Sequence, residues 1–269
     1  MESSPERPPA IALETSETRS SDTEGFVERL SIGFFFFLFG AYALAISGYF
    51  SRETIFALFG ITAIGTALLV WRQCHLSRAS IVRGAVIILF SAMVALSASP
   101  TIFSGRDEGS YAGAAIRLAT EHSLISEIPS ISREFARLYG EGKALNVPGF
   151  FYTAEGNLTT QFPLGYIVWL GAFISIFGLT GISIANTTTL ALTLSALFLL
   201  LRKFVSMPFA LCGTVLAGIS FPILWISGRT LSENLALPLF ILLVFHLVSF
   251  VKRPSVLSWA LVVLSLIHI

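Results

Sequence analysis

Leu30-Ser31-Ile32-Gly33-Phe34-Phe35-Phe36-Phe37-Leu38-Phe39-Gly40-Ala41-Tyr42-Ala43-Leu44-Ala45-Ile46-Ser47-Gly48-Tyr49-Phe50 runs for 21 residues without a charge. A helix needs about 20 apolar residues to cross a bilayer. In hydrocarbon the backbone must bond to itself, and nothing here alternates with period two as barrel strands do, so the stretch predicts a transmembrane helix. Similar runs follow at Thr54–Trp71 and Ile81–Ala98. Beyond a hydrophilic interval come Pro163–Leu179, Ile182–Leu201, Pro208–Ser227, Leu235–Val251 and Ser255–Ile269.

Composition agrees. Charged residues make up 12% of the chain, about half the share in a soluble domain. The charges are also segregated. They concentrate in Met1–Arg29 and in Ser99–Phe162, and outside those stretches only Glu53 and Glu233 are acidic. The formal net charge of +1 says nothing about a nucleic-acid partner, and with no basic patch interleaved with aromatics none is expected. Cys74 lies in an Arg-rich turn and Cys212 in an apolar span. Their spacing and company suit packing better than a disulfide or a metal cluster.

These observations predict an all-α fold, a polytopic transmembrane helical bundle with a large extracytoplasmic loop bearing juxtamembrane helices. Residues 1–28, rich in Ser, Thr, Pro and Glu, form a disordered cytoplasmic tail. Residues 29–98 hold three transmembrane helices, 99–162 the loop, and 163–269 further spans. The chain stops at His268-Ile269 within an apolar run, which reads as a last span cut short. Arg72, Arg78 and Arg83 place the turn between the second and third spans in the cytoplasm, so the loop faces outward. Two topologies then remain. If every later segment crosses, Arg202-Lys203 and Lys252-Arg253 land outside, and Glu233 lies opposite Asp107. If Pro163–Leu201 makes one net crossing, both basic pairs return to the cytoplasm and Glu233 joins Asp107. The second satisfies the charge bias twice with one change.

Gly105-Arg106-Asp107-Glu108-Gly109-Ser110-Tyr111 opens the loop. Glu108–His122 reads as a helix, with Tyr111, Ala115, Leu118 and Ala119 on one side. Asp107 and Glu108 at its start either cap the helix and complement its dipole, or supply a carboxylate base or metal ligand beside the bilayer. Ser130–Gly140 reads as a second helix. Its Arg133 and Arg137 form a solvated face or a phosphate contact. Asn157-Leu158-Thr159 matches a glycosylation acceptor. Glu233 follows Ser232, a candidate cap, and Arg229, which could neutralise it or meet a phosphate. His246 and Asn186, both inside spans, read as packed, hydrogen-bonded groups.

The order of these elements resembles the GT-C superfamily of membrane glycosyltransferases, in particular its protein O-mannosyltransferase and aminoarabinose-transferase-like branch (glycosyltransferase family 39-like). Arg106-Asp107-Glu108 heads the first outward loop and runs into a helix with Tyr111. Phe162-Pro163-Leu164-Gly165-Tyr166 starts the next span, followed by Phe177-Gly178. Phe221-Pro222-Ile223-Leu224-Trp225-Ile226-Ser227 and then Glu233 precede another span. The resemblance spans about Ile81–Val251. It implies a multi-pass enzyme, expected in the plasma membrane of a bacterium, that moves a hexosyl or pentosyl group from a polyprenyl-phosphate carrier to an acceptor on the outer face. Asp107, Glu108 and Glu233 are the implied catalytic acids, and Arg106, Tyr111 and Arg229 the substrate-binding residues. Any divalent metal ion would sit at Asp107 and Glu233. Membrane lipid and the lipid-linked donor are the implied partners. The competing classes are a transporter or flippase, which the one-sided clustering of acids disfavours, and a non-catalytic membrane subunit.

Overall fold

The computed structural model describes residues 10–71, 78–96, 107–127, 130–140, 142 and 147–267. Eleven helices and one small sheet make up the described chain. The helices are α1 (Ala10–Ile46), α2 (Arg52–Trp71), α3 (Arg78–Leu96), α4 (Asp107–Glu121), α5 (Ser130–Tyr139), α6 (Leu164–Phe177), α7 (Thr180–Leu201), α8 (Met207–Gly218), α9 (Phe221–Ser227), α10 (Glu233–Lys252) and α11 (Val256–Ile267). Four are long and apolar enough to cross a membrane: Gly25–Ile46 within α1, α2, α7 and α10. The α8–α9 pair makes a fifth if it counts as one span. The apolar stretch of α3, Gly84–Val94, is shorter than a full span.

Several expectations are corrected. Residues 10–28, expected as a disordered tail, belong to α1. Once the apolar span has formed a helix, extending it residue by residue costs far less than nucleating a new one. The single span expected over Pro208–Ser227 is instead α8 and α9, bent by 58°. Pro222 opens the second helix and cannot donate a hydrogen bond back across the break. The loop also contains strands that no alternation announced: β1 (Ile125–Ser126), β2 (Phe150–Tyr152) and β3 (Leu158–Thr160), antiparallel in the order β1-β3-β2. Strands of two or three residues are too short for a periodic signal.

Between helices in lipid the hydrophobic effect gives little, so shape and polar bonds carry the packing. Aromatic rings join α1 to its neighbours. Phe37 meets Phe59 of α2 and Trp169 of α6 edge-on, at centroid distances of 6.0 and 5.9 Å. The register of α6 against α7 decides the topology. The Tyr166 hydroxyl donates to Asn186 Oδ1 at 2.7 Å, the Trp169 indole faces the Ala185 carbonyl, and Gly181 lies against the Phe173 backbone. The pairs run antiparallel. The chain therefore leaves Tyr166, turns at Gly178, and returns to the level of Tyr166 by Asn186 before α7 continues to Leu201. A side chain at Gly181 would run into the Phe173 main chain, so only glycine permits this approach.

At the far end of α7, Lys203 donates to Ser249 Oγ at 2.9 Å, near the C-terminus of α10. Glu28 accepts from Ser258 at the start of α11. Arg202-Lys203 and Lys252-Arg253 thus share one end of the bundle, and Glu233 lies at the other end of α10. The 163–201 segment thus begins at the Asn234 end of α10 and finishes at its Ser249 end.

Candidate functional site

The site forms where the start of α4 meets the turn between α9 and α10. Glu108 is buried in the first turn of α4, and Arg229 Nη1 donates to its Oε1 at 2.5 Å. The Glu108 side chain is 8% exposed and that of Arg229 34%. A charge-assisted bond in this half-dry setting is stronger than one in water. Thr230 Oγ1 also donates to the Glu108 main-chain carbonyl at 2.7 Å. The two segments, 121 residues apart in sequence, are therefore locked by a side-chain bond and a main-chain bond.

Two buried amides shape the turn that presents Arg229. Asn234 Nδ2 donates to the carbonyls of Arg229 at 2.6 Å and Ile226 at 3.0 Å. Asn186 Nδ2 donates to the Arg229 carbonyl at 3.0 Å, while its Oδ1 accepts from Tyr166. The carbonyls freed where α9 ends are thereby satisfied inside the bundle. The Arg229 guanidinium lies over the Trp225 ring, 4.8 Å from its centroid. Arg229 was expected to neutralise Glu233 or meet a phosphate; its carboxylate partner is Glu108 rather than Glu233, and its side chain stays 34% exposed. Ser232 was expected to cap α10. It has helical dihedrals and makes no cap bond, and its hydroxyl donates to Glu233 Oε2 at 3.3 Å.

Tyr111, one helical turn after Glu108, is buried between the rings of Phe162 and Tyr166, at centroid distances of 4.5 and 5.7 Å. Burial pushes its phenol pKa above the ordinary tyrosine value. The nearby Glu233 and Asp107 carboxylates push the same way, against a hydrogen bond with Ser232. The group is thus a neutral phenol flanked by two carboxylates. Asp107 and Glu233 are both exposed. The structure brings Asp107, Glu108, Tyr111, Arg229 and Glu233 to one place; Arg106 lies outside the described residues. Among the described residues no group of three or more His, Cys, Asp or Glu is placed to hold a metal ion.

The turn that leads into β2 braces α4 from the loop side. Ser110 Oγ donates to the Pro148 carbonyl at 3.1 Å. Gly149 follows at φ 84°, and a Cβ there would overlap Ser110. At the other end of α4, His122 takes a left-handed φ of 60°, and its Nδ1 donates to the Phe50 carbonyl at 2.8 Å. The remaining candidates fall elsewhere. Arg137 pairs with Glu134 on the surface of α5 at 2.6 Å. Asn157 sits in the β2–β3 turn. His246 is buried against Ser31 at 3.0 Å, far along α10. Cys212 is exposed on α8, and Cys74 lies outside the described residues.

Sequence reading missed Thr230, Asn234 and Trp225 as parts of the site. Asn234 carried a faint signal, an amide in the first turn of an apolar span, where an unsatisfied polar group would be costly. No family model, curated protein or solved structure matches this chain.

Proposed function

We propose that this protein is a GT-C-like membrane glycosyltransferase that takes a sugar from a polyprenyl-phosphate carrier at the Asp107–Glu233 end of the bundle. The observation that carries the reading is the Glu108–Arg229 bond. It closes two distant segments on each other and leaves Asp107 and Glu233 exposed around the Tyr111 phenol. Four charged groups gathered at the end of an apolar bundle cost free energy, and such clusters mark sites of chemistry or transport. The opposite end carries both basic pairs, so the positive-inside bias puts the cluster on the extracytoplasmic face.

The roles follow from position. Asp107 takes the proton of the acceptor hydroxyl. The acceptor oxygen then forms a bond to the anomeric carbon as the carbon–oxygen bond to the carrier phosphate breaks. The bonding pair leaves on the phosphate, and the anomeric centre inverts. Glu108, buried and paired, is the bracket that aims Arg229 rather than a base. The part of the Arg229 guanidinium left exposed can meet the departing phosphate. Tyr111, kept neutral, donates a hydrogen bond. Were a divalent ion used, Asp107 and Glu233 would hold it, and it would offset the charge that develops on the departing phosphate.

Replacing Asp107 by Asn should lower transfer from a polyprenyl-phosphate sugar by about 10²–10⁴-fold with expression retained. Unchanged transfer would remove Asp107 from the chemistry. One observation favours a flippase instead: the 58° break between α8 and α9, since transporters build their sites on interrupted helices. Carrier movement across vesicles without sugar transfer, abolished by straightening that break, would select that reading.

A further inference from the structure

Helix α5 presents a face that no other element among the described residues covers. Its inner side, through Ala136, packs against Tyr152 and Leu158 of the β2–β3 hairpin. Phe135, Leu138 and Tyr139 form an apolar stripe beside that contact and are exposed, with relative exposures of 36%, 67% and 42%. Phe135 and Tyr139 stack, centroids 6.0 Å apart and planes 10° from parallel, so the apolar surface is flat. The polar side carries Arg133 and Arg137, the latter paired with Glu134. Ten residues with apolar and charged sides this sharply divided have the pattern of a helix lying in a water–lipid boundary.

We propose that α5 is a membrane-surface anchor. It lies in the headgroup layer next to the Asp107–Glu233 end, with Leu138, Phe135 and Tyr139 entering the acyl boundary and Arg133 beside lipid phosphates. Lipid is the occupant because of where α5 is tethered. Ala136 packs against the cluster of Tyr152 and Leu158, and α6 begins at Leu164, six residues after Leu158. Six residues reach at most about 20 Å when fully extended. The helix is therefore held near the end of the bundle, where the bilayer surface lies. Aromatic rings and arginines are the residue types that settle at that depth, and the arginine charge complements anionic headgroups. The anchor requires only that the bundle spans a membrane; it does not depend on the sugar-transfer reading.

The test uses the full chain, with Cys74 and Cys212 replaced by Ser, in phosphatidylcholine vesicles with and without phosphatidylglycerol. Leu138→Cys and Arg137→Cys, on the apolar and the charged side of α5, each carry an environment-sensitive nitrobenzoxadiazole label. The label at 138 should emit to the blue, be quenched by lipids bearing a nitroxide near the headgroup, and resist aqueous iodide about fivefold better than the label at 137. Adding Arg133→Gln should reduce the lipid quenching at 138 more in anionic than in neutral vesicles. Equal iodide access at both positions would overturn the proposal. So would shielding at 138 that grows with protein density but is insensitive to lipid nitroxide, because a second copy would then be the occupant. Intact shielding at 138 in a preparation without transferase activity would leave the anchor standing and count against the catalytic reading alone.

Discussion

The two ends of the bundle solve the same problem differently. At the basic end, charged groups meet hydroxyls and rings. Lys203 bonds Ser249 and lies 4.3 Å from the centroid of Phe245, and Glu28 accepts from Ser258. At the acidic end, opposite charges from two distant segments are bonded directly, while two further carboxylates stay exposed around a buried phenol. The first arrangement only makes ionic helix ends tolerable. The second spends buried polar groups on holding one geometry, which is what a site requires.

The sharpest way to break this contrast is to part the α6–α7 hairpin that brings the acidic end together. Gly181→Val should cost about 3 kcal/mol, because the clash is with main chain and cannot be relieved by a rotamer. Thermal unfolding in detergent reads it, and Gly213→Val, which faces only a Leu201 methyl, is the comparison. Next, Glu108→Gln should cost about 2 kcal/mol, less than for a fully buried pair because Arg229 is partly solvated. The exchange Glu108→Arg with Arg229→Glu should recover part of that loss. Lys203→Met at the basic end should change stability by less than about 1 kcal/mol, since a hydroxyl partner can be replaced by water there.

A smaller effect depends on pH. The native Tyr111 phenol holds its proton more tightly than the unfolded chain does, because its pKa is raised above 10.0. Its contribution is fully present below pH 10 and is lost as pH rises above that value. Tyr111→Phe should therefore flatten the alkaline decline in melting temperature relative to the parent protein, with little change in that decline near neutrality. An identical alkaline limb in both proteins would place the phenol in a wetter setting than the rings of Phe162 and Tyr166 provide.

The fold was largely legible because lipid imposes a simple rule. A long uncharged run must be a helix, and most helix positions follow from that. The charge bias also pointed to the arrangement that puts Glu233 beside Asp107. Local geometry at chain breaks was harder to read. The α8–α9 bend, the short strands and the helical path through 10–28 depend on a few residues each, and no periodic signal marks them. The candidate site was legible as residue types but not as pairings. Glu108 and Arg229 each had a nearer charged neighbour, Asp107 and Glu233, and sequence distance gave no reason to prefer the bond that spans the bundle. Asn186 and Asn234 act by satisfying carbonyls, and carbonyls leave no trace in a sequence.

Sidedness labelling shows whether Asp107 and Glu233 face one compartment. Glu155→Cys in the loop, Glu233→Cys and Arg253→Cys are each placed in the protein with Cys74 and Cys212 replaced, in sealed vesicles of known orientation. A membrane-impermeant maleimide should reach positions 155 and 233 from the same side and 253 only from the other. Position 233 reacting with 253, opposite to 155, would contradict the account, because Asp107 and Glu233 could then share no site.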